Sequence, residues 1–190
     1  MKKDNKVRLD LACGNNLQKG YTGVDIVGKP DSQAEIQHDL MQFPWPFEDN
    51  SVDEVFASHY LEHIPHGNGY EDPFFSFFDE VYRILKPGGL ARFIVPYYSS
   101  VRAFQDPTHL RYITEPTFNY LTKTWREMNK LTHYPVKCDF EIVKLDHAVS
   151  EEFTGKSQEA VAYSAMHMWN TVMDLQIILR KPKLTKSKAK

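Results

Sequence analysis

The sequence predicts a single-domain α/β protein whose sheet contains parallel strands. Its 190 residues suit one domain that shares one core. Short apolar runs alternate with loop and helix signals along the first half of the chain, and each run stops at a turn. Strands that alternate with connections in this way pair in parallel and bind ligands at their carboxyl ends. We therefore look for the functional site in the loops that follow the strands.

The elements can be placed in order along the chain. Strands are predicted at residues 7–12, 21–27, 34–40, 52–58, 90–96, 137–145 and 175–181. Helices are predicted at residues 74–86, 115–131 and 158–170. Asp72 and Pro73 suit the N-cap and first position of the first helix, and Pro87-Gly88-Gly89 ends it. Residues 97–133 contain no clear strand, so we interpret them as an insertion or cap after strand five within a domain of residues 1–181.

Composition excludes several classes of protein. The net charge of −2 is too balanced for a dedicated nucleic-acid partner. With two cysteines and no apolar run of about 18 residues, neither a disulfide framework nor a membrane span is expected. We predict a cytoplasmic protein that acts on a small molecule, with no membrane and no nucleic acid. Residues 182–190 are basic and predict a flexible tail.

The strongest motif is LDLACGNN at residues 9–16, followed by GVDI at residues 23–26. A strand that enters a loop of small residues lets backbone approach a ligand, and an acid ending the next strand suits a ribose diol. Only eleven residues separate Gly14 from Asp25, too few for a full crossover helix and a returning strand. The first crossover helix is therefore predicted to be shortened or missing.

Five segments in this order resemble class I S-adenosylmethionine-dependent methyltransferases. They are LDLACGNN, GVDI, HDL, FPWPFEDNSVDEVFASHYLEHI and ILKPGGLARFIVP, which together cover about residues 7–96. The resemblance, to small single-domain members of the type 11 kind, implies a Rossmann-like, mostly parallel sheet with an antiparallel last strand. It also implies S-adenosyl-L-methionine as cofactor. Ala12 and Asn16 stand where the family's loop usually has glycines.

The resemblance also implies which residues bind the cofactor. Asp25 matches the acid that grips the ribose hydroxyls, Ile26 would pack on adenine, and Asp39 matches the acid that receives the adenine amino group. Ser58 and His59 match the end of the fourth strand beside the cofactor. The full set carried over is Asp10, Ala12, Cys13, Gly14, Asp25, Ile26, Asp39, Leu40, Ser58 and His59.

The octet HYLEHIPH at residues 59–66 admits a second interpretation. Its HxxEH pattern is that of inverted zinc peptidases, in which two helical histidines bind zinc and the glutamate is the general base. That site needs a continuous helix and a third ligand, yet His59 ends a strand and Pro65 curtails the helix. We therefore expect no metal, with Leu61 in the core and Glu62 and His63 in structural roles. Zinc hydrolysis remains the distant alternative.

A second cluster, DPTHLRYIT, follows strand five. Asp106, His109 and Arg111 place an acid, a base and a cation above the same sheet edge, and we predict that they bind the substrate. His109 is the first choice for the catalytic base and His59 the second. The alternative is that Asp106 caps a turn and pairs with Arg111.

The predicted function is methyl transfer from S-adenosylmethionine to oxygen or nitrogen of a small polar acceptor, such as a sugar or nucleotide. The alternative is an S-adenosylmethionine-binding module or subunit without catalysis, which the altered glycine loop and shortened first crossover would suit. In the last predicted helix, the apolar residues Tyr163, Met166 and Trp169 lie three apart and are expected to pack in the core.

Overall fold

The protein is built on one seven-stranded mixed sheet. The computed structural model describes residues 6–68 and 71–183. The strands are β1 (Arg8–Leu11), β2 (Thr22–Asp25), β3 (Ile36–Gln37), β4 (Val52–Ser58), β5 (Leu85–Pro96), β6 (Glu141–Val149) and β7 (Val172–Arg180). Their order is β3-β2-β1-β4-β5-β7-β6. The first five are parallel, whereas β7 runs antiparallel to both β5 and β6. The predicted fold class is confirmed.

One face of the sheet is covered by α1 (Pro73–Ile84), which connects β4 to β5. The Asp72 carboxylate accepts a hydrogen bond from the Phe74 amide, and Pro73 opens the helix, as the sequence predicts. Phe78 packs against Phe93 of β5 with ring centroids 5.2 Å apart. Burial of such large rings supplies most of the favourable free energy of this layer.

The segment after β5 extends the same layer. A 3₁₀ helix (Glu115–Leu121) and α2 (Lys123–Met128) replace the single helix predicted at residues 115–131. Thr122 between them is extended, with φ −103° and ψ 118°. Because Phe118 and Leu121 are fully buried, core packing overrides the helical pattern here.

The described connections on the other side of the sheet contain no helix. Residues 12–21 and 26–35, which join β1 to β2 and β2 to β3, form turns and extended backbone, so the predicted absence of the first crossover helix is confirmed. The strands' exposed face carries partly buried Phe56 and Ile178 beside charged side chains such as Arg92. Arg92 pairs with Glu54 at 3.2 Å, so this face is polar enough to meet water.

The third helix differs most from expectation. α3 (Gln158–His167) begins at Ser157, whose side chain accepts from the Ala160 amide. Tyr163, Met166 and Trp169 are 66%, 77% and 62% exposed, so the prediction that they pack in the core is wrong. The helix turns a different side inward, since Ser164 is buried and Ala165 packs against the core.

Two further predictions concern the ends of elements and of the chain. The last two strands are displaced by about four residues or fewer from their predicted bounds, as is usual for sequence-based boundaries. Most of the basic tail predicted at 182–190 lies outside the described residues. None of the described helices is both long and apolar enough to span a membrane.

Candidate active site at the carboxyl edge of the sheet

The loop that follows β1 is held in an unusual backbone conformation. Ala12 and Gly14 both have positive φ, 54° and 49°. The Ala12 amide donates to the Val24 carbonyl at 2.7 Å, which anchors the loop to β2. A Cβ added at Gly14 would meet no atom within 4 Å, so this backbone faces open space. Such a loop lets a ligand approach the main chain closely.

Asp25, the last residue of β2, lies against this loop. One carboxylate oxygen accepts from the Gly14 amide at 2.9 Å and the other from the Val27 amide at 3.0 Å. Each oxygen retains a lone pair for a further donor, such as a ribose hydroxyl. Ile26 follows it with 60% of its surface exposed, which suits an apolar contact with a flat ring.

Asp10 and Cys13 are buried beneath the loop that follows β1. The buried Asp10 carboxylate accepts from the Gln18 amide at 2.7 Å, and desolvation, with a smaller contribution from Asp25, raises the pKa of Asp10 to about 6. Burial likewise raises the pKa of the Cys13 thiol to about 11, which keeps it protonated and unreactive.

The remaining predicted cofactor residues follow β3 and β4. Asp39 accepts from the Met41 amide at 2.9 Å and caps a turn. Leu40 is buried in the core, so its side chain supports the turn. Ser58 ends β4 and leads directly into His59. These positions share the carboxyl edge with the β1 loop because β1, β2, β3 and β4 are parallel.

The residues present fit a nucleoside-bearing cofactor. The β1 loop leaves open space at Gly14, Asp25 offers carboxylate lone pairs beside it, and Ile26 supplies exposed apolar surface. This combination matches the chemical parts of S-adenosylmethionine: a polar chain, a ribose diol and an adenine ring.

His59 lies where the cofactor edge meets a second cleft. Its φ of 55° is left-handed, a strained conformation for histidine that is often found at functional sites. Its Nδ1 lies 3.3 Å from Oε1 of Glu62, and its Nε2 lies 3.9 Å from Oδ1 of Asp174. Interaction with Glu62 raises the pKa of His59 against the opposing effect of burial.

Glu62 is the most unusual side chain of the site. It lies in a 3₁₀ turn (Leu61–His63) with an exposed fraction of only 1%. Within the described residues, neither of its carboxylate oxygens accepts a hydrogen bond. The Glu62 main-chain carbonyl accepts from the amides of Leu110 and Arg111, which fixes the DPTH segment beside it.

Two further histidines converge on Glu62. His109 directs Nε2 toward Oε1 of Glu62 at 3.9 Å, and its Nδ1 lies 3.1 Å from the Ala103 carbonyl. The ring of His63 packs edge-on against that of His109, with centroids 4.7 Å apart. The structure thus brings the HYLEH and DPTH segments together in one cluster.

A cleft of about 420 Å³ opens over this cluster. It is lined by His59, His63, Arg102, Gln105, Asp106 and His109. Sequence reasoning missed Arg102, which pairs with Asp174 of β7. No local pattern connects residues so far apart in the chain. Their proximity results from the antiparallel β5-β7 pairing.

Arg111 does not line this cleft, contrary to the predicted substrate role. Its guanidinium donates to the Ile64 carbonyl at 2.7 Å and to Asp72 at 2.6 Å, and it lies over the Phe74 ring. The alternative prediction, that Arg111 pairs with Asp106, is wrong because its carboxylate partner is Asp72. Asp106 instead accepts from the amide and hydroxyl of Thr108, which lowers its pKa.

The zinc-peptidase arrangement of HxxEH is not formed. That site needs both histidines on one face of a helix, whereas His59 ends a strand and Glu62 and His63 occupy a single 3₁₀ turn. The prediction that Leu61 belongs to the core is confirmed.

Exposed aromatic rings lie on the segment that borders the cleft. Phe104 and Tyr112 stack with centroids 4.5 Å apart, and Trp169 lies 5.6 Å from Phe104. All three are about half exposed or more. Grouped rings of this kind offer flat apolar surface for a ligand with a ring of its own.

The sheet order, the loop after β1 and the acid at the end of β2 define a class I methyltransferase fold. Comparisons with known proteins agree with this assignment. Residues 9–93 match the family model described as "Methyltransferase domain". The resemblance to class I S-adenosylmethionine-dependent methyltransferases is therefore supported by the match over residues 9–93 and by the fold, and that resemblance implies S-adenosylmethionine as the cofactor.

Individual relatives are distant. Sterol 24-C-methyltransferase of Pneumocystis carinii is 30% identical over an alignment of 105 positions. The match covers 43% of this chain and 26% of that protein, so this chain matches only about a quarter of that relative. A methyltransferase structure from Archaeoglobus fulgidus has 18% identity and a TM-score of 0.63 over 93% of this chain and 86% of its own. One from Mesorhizobium loti has 15% identity and a TM-score of 0.56 over 92% and 90%.

Proposed function

We propose that the protein transfers a methyl group from S-adenosylmethionine to oxygen or nitrogen of a small polar acceptor bound in the histidine-lined cleft. The observation that carries the proposal is the position of His59. It follows the last residue of β4, on the edge that the cofactor loop occupies, and it also lines the cleft over Glu62. An acceptor in that cleft would therefore lie beside the cofactor.

The chain's contribution to this reaction is chiefly positioning. When bound, S-adenosylmethionine supplies an electrophilic methyl group whose reactivity belongs to the cofactor. Gly14 and Asp25 would hold its polar chain and ribose. Alignment of the acceptor with the methyl group, and exclusion of water from the cleft, then lower the barrier.

His59 is our choice for the base that removes the acceptor's proton. Its Nδ1 lies 3.3 Å from Oε1 of Glu62, and attraction to the carboxylate favours the tautomer that carries the hydrogen on Nδ1 and leaves Nε2 to accept a proton. Its side chain is 43% exposed, whereas that of His109 is only 7% exposed and directs Nε2 toward Glu62. This reverses the order that the sequence suggested, and His109 becomes a residue of the supporting cluster.

A ring-containing acceptor, such as a sugar or nucleotide, fits the surroundings of the cleft. Phe104, Tyr112 and Trp169 offer a surface on which a sugar or base would stack. Arg102 and Asp106 supply polar contacts at its rim. Both cysteines are buried and unpaired, which supports the cytoplasmic location expected from the sequence.

The test is a methylation assay with S-adenosylmethionine and a panel of sugars, sugar phosphates and nucleotides, followed by mass spectrometry. With an accepted substrate, we expect His59→Gln to lower kcat about 100-fold. Affinity for S-adenosylhomocysteine should change by less than about threefold, less than 1 kcal/mol. His167→Gln, on α3, is the matched control and should retain full activity.

Two results would contradict the proposal. Wild-type activity with an unchanged rate in His59→Gln would show that His59 is not the base. Tight binding of S-adenosylmethionine without transfer to any member of the panel would favour the module that binds the cofactor without catalysis.

A further inference from the structure

We infer that Glu62, His63 and His109 form a binding site for a divalent transition-metal cation of the Zn²⁺ type. One ligand atom from each of the three residues lies within 4.8 Å of the other two. Two imidazoles and one carboxylate are a donor set that suits zinc and iron and leaves positions open for another ligand. The inference does not depend on the proposed methyl transfer.

The first observation is the buried carboxylate of Glu62. It is 1% exposed, and both of its oxygens lack a hydrogen-bond donor among the described residues. His59 Nδ1 lies 3.3 Å from one oxygen but does not align as a hydrogen-bond donor. A carboxylate removed from water without partners costs several kcal/mol, so such groups are paired or coordinate metals.

The second observation is the tautomer of His109. Its Nδ1 lies 3.1 Å from the Ala103 carbonyl, which can only accept, so Nδ1 carries the hydrogen. In the neutral ring the Nε2 lone pair then points toward Glu62 Oε1, 3.9 Å away. A lone pair facing a carboxylate is unfavourable, and either a proton on Nε2 or a metal cation between the two atoms relieves the repulsion. A main-chain carbonyl on the remote nitrogen is also the usual partner of a metal-binding histidine.

The third observation is the similar support of His63. Its Nδ1 lies 3.0 Å from the hydroxyl oxygen of Thr108, and that hydroxyl donates its own hydrogen to Asp106 at 2.7 Å. Thr108 therefore accepts from Nδ1, which leaves the lone pair of His63 on Nε2. Both histidines are fixed in the tautomer with Nε2 free for a metal, and each has a partner at Nδ1.

The surrounding charges are compatible with a cation. Asp106 and Asp174 are the nearby acids, while Arg102 is paired with Asp174 and His59 contacts Glu62. Ligand atoms of a tetrahedral zinc lie about 3.3 Å apart, so closure would need movements of about 1 Å or less.

This site differs from the zinc site that HxxEH suggested. His59 is not a ligand, and the third ligand comes from the DPTH segment after β5. His63 and His109 also line the cleft, so a cation held by them would lie at its wall, within reach of a molecule bound there. The expectation from sequence that no metal binds rested on the missing third ligand and on the absence of a continuous helix. His109 supplies a third ligand, and this arrangement needs no helix because it does not use His59.

The test uses the untagged full chain, freed of metal by chelation, and titration calorimetry with Zn²⁺ alone. We expect binding of about one equivalent and at least a 100-fold loss of affinity in Glu62→Gln, His63→Gln and His109→Gln. His167→Gln should bind as the wild type does. Circular dichroism of each variant would show whether the fold is retained.

A measurement on the wild type keeps the inference testable if a variant fails to fold. X-ray absorption at the zinc edge should show two imidazoles and no sulfur in the first coordination shell. Absence of stoichiometric binding at micromolar Zn²⁺, a shell without imidazole, or folded variants with unchanged affinity would overturn the inference.

Discussion

Gly14 shows how one residue connects backbone conformation to ligand binding. Its φ of 49° is left-handed, and a Cβ there would project into the open space beside Asp25. Alanine in this conformation costs about 1–2 kcal/mol, and its methyl group would occupy the cofactor's side of the loop.

We therefore expect Gly14→Ala to lower affinity for S-adenosylhomocysteine at least tenfold, with a modest fall in the free energy of unfolding. The control is Gly155→Ala, at φ 79° and also with open space beyond it. It should lower stability similarly and leave affinity unchanged. Equal affinities of the two variants, measured by calorimetry, would show that the loop does not contact the cofactor.

The raised pKa of Asp10 predicts how the free energy of unfolding changes with pH. Its pKa in the folded protein is raised to about 6, so the folded state binds a proton more tightly than the unfolded chain does. The contribution of Asp10 is therefore most favourable below pH 4 and is lost as pH rises through 6.

We expect Asp10→Asn to be more stable than the wild type by about 1–2 kcal/mol at pH 7.5, with the difference vanishing near pH 4. Urea unfolding at both pH values measures this. The exposed Asp31→Asn serves as control. A wild type that exceeds Asp10→Asn in stability at pH 7.5 would mean that the carboxylate makes net favourable contacts.

At the scale of elements, Arg126 fixes the segment after β5 to the rest of the layer. It is buried in α2, and its guanidinium donates to the carbonyls of Tyr120, Val136 and Cys138. Replacement would leave one buried and two partly buried carbonyls without this donor.

Arg126→Met should lower the free energy of unfolding by about 2–4 kcal/mol, because Arg126 is buried and three carbonyls lose their charged donor. Lys123→Met on the same helix is the matched control, since Lys123 is exposed and its contact with Glu127 is long. It should change stability by less than about 0.5 kcal/mol. Similar losses in both variants, measured by chemical unfolding, would refute a specific role for Arg126.

The elements also show what the sequence could and could not predict. The strand–loop–strand unit around Gly14 and Asp25 was predictable because its signals are local and its spacing excludes a helix. The cluster around Glu62 was not, because Glu62 has the local appearance of a residue in a helical turn. Its burial depends on the DPTH segment, which packs against it from a distant part of the chain.

The prediction of a buried stripe on α3 and the prediction of a substrate role for Arg111 both depended on contacts that the local sequence does not show. A three-residue apolar spacing predicts a buried stripe only if a neighbouring element covers that side of the helix, and in α3 Ser164 and Ala165 face inward instead. Arg111 was assigned to the substrate by its neighbours in sequence, but Asp72 and two main-chain carbonyls satisfy it.

At the scale of the whole molecule, one sheet edge carries both the cofactor loop and the cleft. The parallel strands β1, β2 and β4 bring Gly14, Asp25 and His59 to that edge, while the antiparallel β7 brings Asp174 to its other side. The helix-free connections leave the first part of this edge open. The cofactor must therefore bind at this edge without a first crossover helix to cover it.

A crystal structure of the chain with S-adenosylhomocysteine tests this requirement most directly. We predict the ribose on Asp25, the adenine against Ile26, and the sulfur facing the cleft beside His59. Ligand bound at another surface, or no bound ligand after soaking at millimolar concentration, would contradict the account.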